Sequence, residues 1–115
     1  MGKQTIANGA VVGSNVDTTV VVTAGATPAV DTSLGGVFTL TPGEDETLTA
    51  TNLTNGERFS LVVLTSGATS RTLTFGTGFK STGTLATGTT TAKTFVVSFL
   101  VVAGAATEVS RTTAQ

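Results

Sequence analysis

The stretch "TFVVSFLVVAGAATEVSR", residues 94–111, decides what kind of protein this is. Phe95, Val97, Phe99 and Val101 recur at every second position, the period of a β-strand that turns one side to a core. Val96, Leu100 and Val102 point the opposite way, with only Ser98 polar between them. "AGAA" reads as a turn and "TEVSR" as a short closing strand. In a simple two-sheet sandwich the second face of such a strand is in water. Three large side chains left there would forgo roughly 1.5–3 kcal/mol each, so that face is expected to be covered.

The same double pattern stands in "RFSLVVLT", residues 58–65. Phe59, Leu61 and Val63 form one face, and Val62 and Leu64 lie behind them. The outward set Val62, Leu64, Val96, Leu100 and Val102 is therefore the candidate oligomer interface. Its cover is either the N-terminal arm of the chain or a neighbouring subunit, or both at once if the arm of one subunit lies across the next.

Working outward, "GVFTLT" at residues 36–41 sets Phe38 and Leu40 on one face, and "ETLTATNL" at residues 46–53 sets Leu48 and Ala50 opposite Thr47, Thr49 and Thr51. "TNGE" is an Asn-Gly turn, a strong hairpin signal that also suits a longer connection. "SRTLTF", with Leu73 and Phe75, pairs naturally with "RFSLVVLT" through a turn around Gly67. About a quarter of the residues are threonine, a β-branched type that favours strands. Short strands separated by turn signals predict an all-β chain, an antiparallel β-sandwich of jelly-roll-like order. The sandwich domain is expected to span residues 36–115.

Residues 1–35 read differently. They are rich in Gly, Ala, Ser and Thr, with Val11, Val12 and Val20, Val21, Val22 as their main apolar positions. This composition predicts an extended N-terminal arm with one or two short strands, an unstructured tail being the alternative. The five valines are the candidate positions through which that arm contacts a partner.

The composition excludes much chemistry. The chain has no cysteine, histidine, tryptophan or tyrosine, and its six basic and seven acidic residues nearly cancel. No basic patch marks a nucleic-acid partner, and the run from Phe95 to Ala106 is too short for a membrane helix. No signal peptide is apparent, so a soluble chain is expected. "GTGFKSTG" at residues 76–83 echoes a phosphate loop, but Phe79 stands where the second glycine belongs and no helix pattern follows. Glu44, Asp45 and Glu46 lack the spacing of a calcium loop and read as a solvated turn after Pro42-Gly43. A hydroxyl nucleophile would lack a histidine base. No enzymatic activity, catalytic residue, cofactor or metal is expected.

The run from Arg58 to Arg111 resembles a module of tailed-bacteriophage virion proteins, small β-sandwich proteins that decorate the capsid, with related pieces in head and tail fibres. The resemblance lies in "GERFSLVVLTSGATSRTLTFGTGFKSTGT", "KTFVVSF" and the closing "EVSRTTAQ". The family's usual turn before the closing strand is "DGT" with an aromatic, where this chain has "AGAA". The resemblance implies a capsid decoration, or cement, protein on the outside of the head. Its partners would be the major capsid protein, bound through the arm valines Val11, Val12, Val20, Val21 and Val22, and itself, as a homotrimer, with no nucleic acid and no membrane. It would be made in the cytoplasm of the bacterial host. A free-standing length suits decoration better than a fibre shaft. A head-fibre, tail or tail-fibre component is the alternative, and a carbohydrate-binding module a further one, disfavoured because sugar sites stack on Trp or Tyr.

Overall fold

The computed structural model describes residues 17–115 and, before them, the backbone of two short strands, β1 (Thr5–Ala7) and β2 (Ala10–Val12), which pair antiparallel as a separate ribbon. The remaining strands are β3 (Thr19–Val21), β4 (Ala29–Asp31), β5 (Val37–Leu40), β6 (Glu46–Thr51), β7 (Arg58–Leu64), β8 (Thr72–Phe75), β9 (Phe79–Lys80), β10 (Leu85–Ala86), β11 (Thr94–Val102) and β12 (Ala105–Arg111). The chain is all-β, and the described residues contain no helix.

Two sheets enclose one core. The larger runs β3-β5-β7-β11-β12-β9 and the smaller β10-β8-β6-β4. From β3 to β11 the chain alternates between them, so each pass and return makes one coil. Within the larger sheet β3, β5 and β7 are parallel; within the smaller, β4, β6 and β8 are parallel. The winding is that of a β-solenoid, closed by antiparallel strands: β10 on β8, and the β11–β12 hairpin beside β7. That hairpin separates β7 from β9, which pairs parallel with β12.

This winding corrects the expected antiparallel order. "RFSLVVLT" and "SRTLTF" do not form a hairpin, because β7 pairs with β5 and β11 while β8 pairs with β6 and β10. The Asn55-Gly56 turn likewise carries the chain from one sheet to the other, with the Gly56 N–H donating to the Val101 carbonyl at 2.8 Å. The "AGAA" turn is a hairpin. Ala103 and Gly104 have φ of 52° and 78°, the two positive angles of a tight primed turn that suits strand twist.

The period-two pattern places the core as expected. Phe38, Leu40, Leu48, Phe59, Leu61, Val63, Leu73, Phe95, Val97, Phe99 and Val101 are buried in one cluster. Parallel register stacks Val20 on Phe38 and Phe38 on Leu61, with Val97 next in line. Phe59, Phe75, Phe79 and Phe99 cluster at one end of the core, with Phe59 and Phe99 stacked at 5.0 Å.

The expected boundary at residue 35 does not separate an arm from a body. β3 and β4 are paired into the two sheets, and Val22 and Val30 belong to the core cluster. The reason is physical: the short apolar segment at residues 20–22 gains a sheet edge and a core by forming the first coil.

The glycine run is structural. A Cβ at Gly78 would lie 2.4 Å from the Ala50 carbonyl oxygen, and Gly78 has a φ of 90°. The missing Cβ atoms of Gly76 and Gly78 let residues 76–78 pass against β6, where Gly76 N–H donates to Leu48 O and Ala50 N–H to Thr77 O. The chain then crosses to the larger sheet, and Phe79 turns into the core.

Candidate functional site

The outer face of the larger sheet brings the candidate interface residues together. On β7 and β11, Val62 lies directly opposite Val96, and Leu64 opposite Thr94. Leu100 faces Arg58 on one side and Thr107 on the other. Val62, Val96 and Leu100 are half-buried by their neighbours on the sheet, while Leu64 and Val102 are 38% and 50% exposed. All five therefore share one surface, with Val37 and Val21 continuing it toward β3.

Two features were not legible in advance. First, a row of small hydroxyls crosses the middle of the face: Ser60 pairs with Ser98, and Ser98 with Ser110. The Ser60 and Ser98 Oγ atoms are 3.4 Å apart. This divides the apolar surface into a Val62–Leu64–Val96 side and a Leu100–Val102–Val109 side. Second, the register of β11 and β12 shifts between Ser98 and Phe99. The extra residue on β12 is Val109, which the bulge leaves on the same outer face as Ser110, and it is 54% exposed. Its alternation in "TEVSR" carries no sign of this shift.

At the hydroxyl row the face dips into a hollow of about 240 Å³ lined by Asp17, Arg58, Ser60, Ser98 and Val109. One Asp17 carboxylate oxygen is buried there without a partner among the described residues. Among the described residues Ser60 has only the Ser98 hydroxyl as its side-chain partner, and no histidine exists in the chain to activate either. What the surface can do is bury apolar side chains against a partner on either side of the hydroxyl row.

The candidate capsid-binding valines are split by the fold. Val22 is buried and Val20 packs against the core, so neither side chain can serve as an outward contact. Val21 alone of the described three is 80% exposed. The side chains of Val11 and Val12 lie outside the described residues.

The remaining polar clusters serve the fold. Among the described residues no group of three or more acids could hold a metal. Glu46 is not part of a solvated turn: it is 2% exposed, and its Oε2 accepts the Gly25 N–H at 3.1 Å. Burial pushes its carboxyl above the ordinary range. Asp45 does face solvent and accepts the Thr72 N–H at 2.8 Å. Arg111 is the clasp of the loop before β10. Its guanidinium meets the Glu108 carboxylate at 2.7 Å and donates to the Gly83 and Thr84 carbonyls. That bond holds Glu108 below the ordinary carboxylate range.

No family model matches the sequence, and no curated protein or solved structure matches the chain.

Proposed function

We propose that this chain is a structural virion protein of a tailed bacteriophage. It decorates the outside of the head as a homotrimer and stabilises the shell as a passive clamp. The observation that carries the reading is the outer face of the larger sheet, where Val62, Leu64, Val96, Leu100 and Val102 lie together without a cover among the described residues. Leaving such a surface in water is costly, and self-association removes the cost. In fold terms the sandwich reading is kept as two layers on one core, wound as coils; jelly-roll order is not part of it.

The mechanism needs no reactive group. A trimer over a joint between capsomers touches several capsid subunits at once, so weak contacts act together. A protein that binds the assembled shell but not the broken one stabilises it by mass action. Virions stripped of the protein are expected to release DNA at a lower temperature, and adding it back is expected to restore them. Stripped and intact particles that melt alike, with adsorption to host cells reduced, would assign the chain to an attachment fibre instead.

A further inference from the structure

The two sheets have four edges, β3 and β9 in one and β4 and β10 in the other. Three are blunted. β9 and β10 are two residues long, and β9 ends in Lys80. β4 follows Pro28, which has no N–H to offer, and is folded over at its far end. There the Asp31 carboxylate accepts from Ser33 and Asn52, and its carbonyl accepts the Leu34 N–H. Short strands, charges, prolines and covering turns are the means by which proteins keep edges from pairing.

β3 is as short as β4, three residues, but among the described residues it has none of the other three. Residues 18–24 read Thr-Thr-Val-Val-Val-Thr-Ala, without charge, proline or bulge. The hydrogen-bond phase is fixed: Val22 N–H donates to Thr39 O, and Thr18 O accepts from Gly36 and Val37. Even-numbered residues thus face β5, and Thr19, Val21 and Thr23 turn their N–H and C=O groups to the open side. Among the described residues nothing pairs with them. Beside this edge Val20, Val21, Val22, Leu34 and Phe38 line a hollow of about 250 Å³, with Leu34 and Val21 both exposed.

The edge sequence is its own mirror. Thr19-Val20-Val21-Val22-Thr23 reads the same from either end, centred on the most exposed of its valines. We propose that β3 is a self-pairing edge, through which a second copy of the chain adds antiparallel about a two-fold axis at Val21. Val21 then exchanges backbone hydrogen bonds with the second copy's Val21, and Thr19 with the second copy's Thr23. An isologous contact needs one surface complementary to itself, and a palindromic strand with its donors and acceptors in phase meets that condition. Pairing also closes the edge, which an uncharged β-prone segment left open would otherwise offer to unlimited association. The contact is small, so the dimer is concentration-dependent. The contact is made by the backbone edge of β3; the Val21 side chain also borders the outer face, so a Val96→Asp background separates the two associations, and the pairing does not rest on the function proposed above.

The chain has no cysteine, so Val21→Cys introduces the sole thiol. Paired residues at such a position lie about 5.5 Å apart between Cα atoms, within reach of a short bismaleimide. Treated at micromolar concentration, the full-length variant is expected to run as a covalent dimer, also in a Val96→Asp background. Thr49→Cys, on the other sheet, is expected to stay monomeric. In sedimentation, Val21→Lys is expected to weaken pairing at least tenfold with the thermal midpoint unchanged. A Val21→Cys chain that remains monomeric under the reagent overturns the proposal. So does a Val11→Cys/Val21→Cys chain that cross-links within itself, since the edge would then belong to the chain's own N-terminal strands.

Discussion

The two outer faces of this protein are built on the same alternation and end in opposite chemistry. On the smaller sheet the outward positions are Ala29, Asp31, Thr47, Thr49, Thr51, Thr72, Thr74 and Ala86, with Thr47 beside Thr74, Thr49 beside Ala29 and Thr51 beside Asp31. On the larger sheet they include Val37, Val62, Leu64, Val96, Leu100 and Val102. Both sets are suited to strands, because threonine and valine share the β-branched shape. They differ in what water costs them. A threonine face keeps its hydroxyls solvated, whereas a valine and leucine face gains by being covered. The comparison teaches that strand propensity fixes neither face's partner. The hydroxyl, exchanged for a methyl at the same shape, decides it.

The largest effect is expected where that difference is reversed. Val62→Asp and Val96→Asp each put a carboxylate into a surface that association would desolvate without a partner. Each is expected to weaken self-association at least a hundredfold by analytical ultracentrifugation. Thr49→Asp and Thr74→Asp, the same charge on the threonine face, are expected to leave it unchanged. Equal losses on both faces would mean that net charge governs assembly, and the two-face distinction would fall.

How much of this was legible follows from what a period of two can carry. It places Phe38, Leu48, Phe59, Leu73, Phe95 and Phe99 inside and sets Val62 and Val96 on a common outer side. It does not say whether neighbours run parallel or antiparallel, because the alternation is the same in both. Coil winding was therefore hidden, and of the two uses that suit the Asn55-Gly56 turn, a hairpin or a longer connection, it serves the second, a passage between sheets. A bulge breaks the period by one residue, so Val109 and Ser110 share a face that strict alternation would divide between them. The valines at residues 20–22 stand among polar neighbours in the sequence, and only the coil above them shows that Val20 and Val22 have a core to join. The site was legible in its apolar members and not in its serine row, since Ser60 and Ser98 become neighbours only through the β7–β11 register.

A smaller effect is expected at the seam where the chain leaves the threonine sheet for the other. Gly78→Ala forces a Cβ against the Ala50 carbonyl at a positive φ, and the backbone on both sides is paired. A cost of about 2–3 kcal/mol is expected in urea unfolding, from strain and local displacement together. Gly67→Ala has a similar φ of 88° but meets open space. It is expected to cost only about 1 kcal/mol. If the two substitutions cost the same, the close approach of the seam to β6 contributes nothing beyond the glycine conformation.

The smallest effect separates two carboxylates, one belonging to each sheet. Glu46 opens β6 of the threonine sheet, and burial raises its pKa; the Gly25 and Gly43 backbone groups only partly oppose this. Its contribution to stability is present in full below its unfolded value and is lost as pH rises through the folded one. Glu108, on β12 of the larger sheet, is shifted down chiefly by its hydrogen bond to Arg111. Its contribution is present above the unfolded value and is lost as pH falls through the folded one. Acidification from neutral pH therefore first relieves Glu46 and only later, in more acid solution, removes the Glu108 clasp. A thermal midpoint followed from pH 7 to pH 3 is expected to rise slightly and then fall. Glu46→Gln, which mimics the neutral acid, is expected to abolish the rise and keep the fall. Glu108→Gln is expected to cost about 1–2 kcal/mol at pH 7 and to flatten the acid limb, since its charge-assisted bonds to Arg111 are already lost. A Glu46→Gln profile that still rises on acidification would place the gain on another group and remove burial of this carboxylate as its cause.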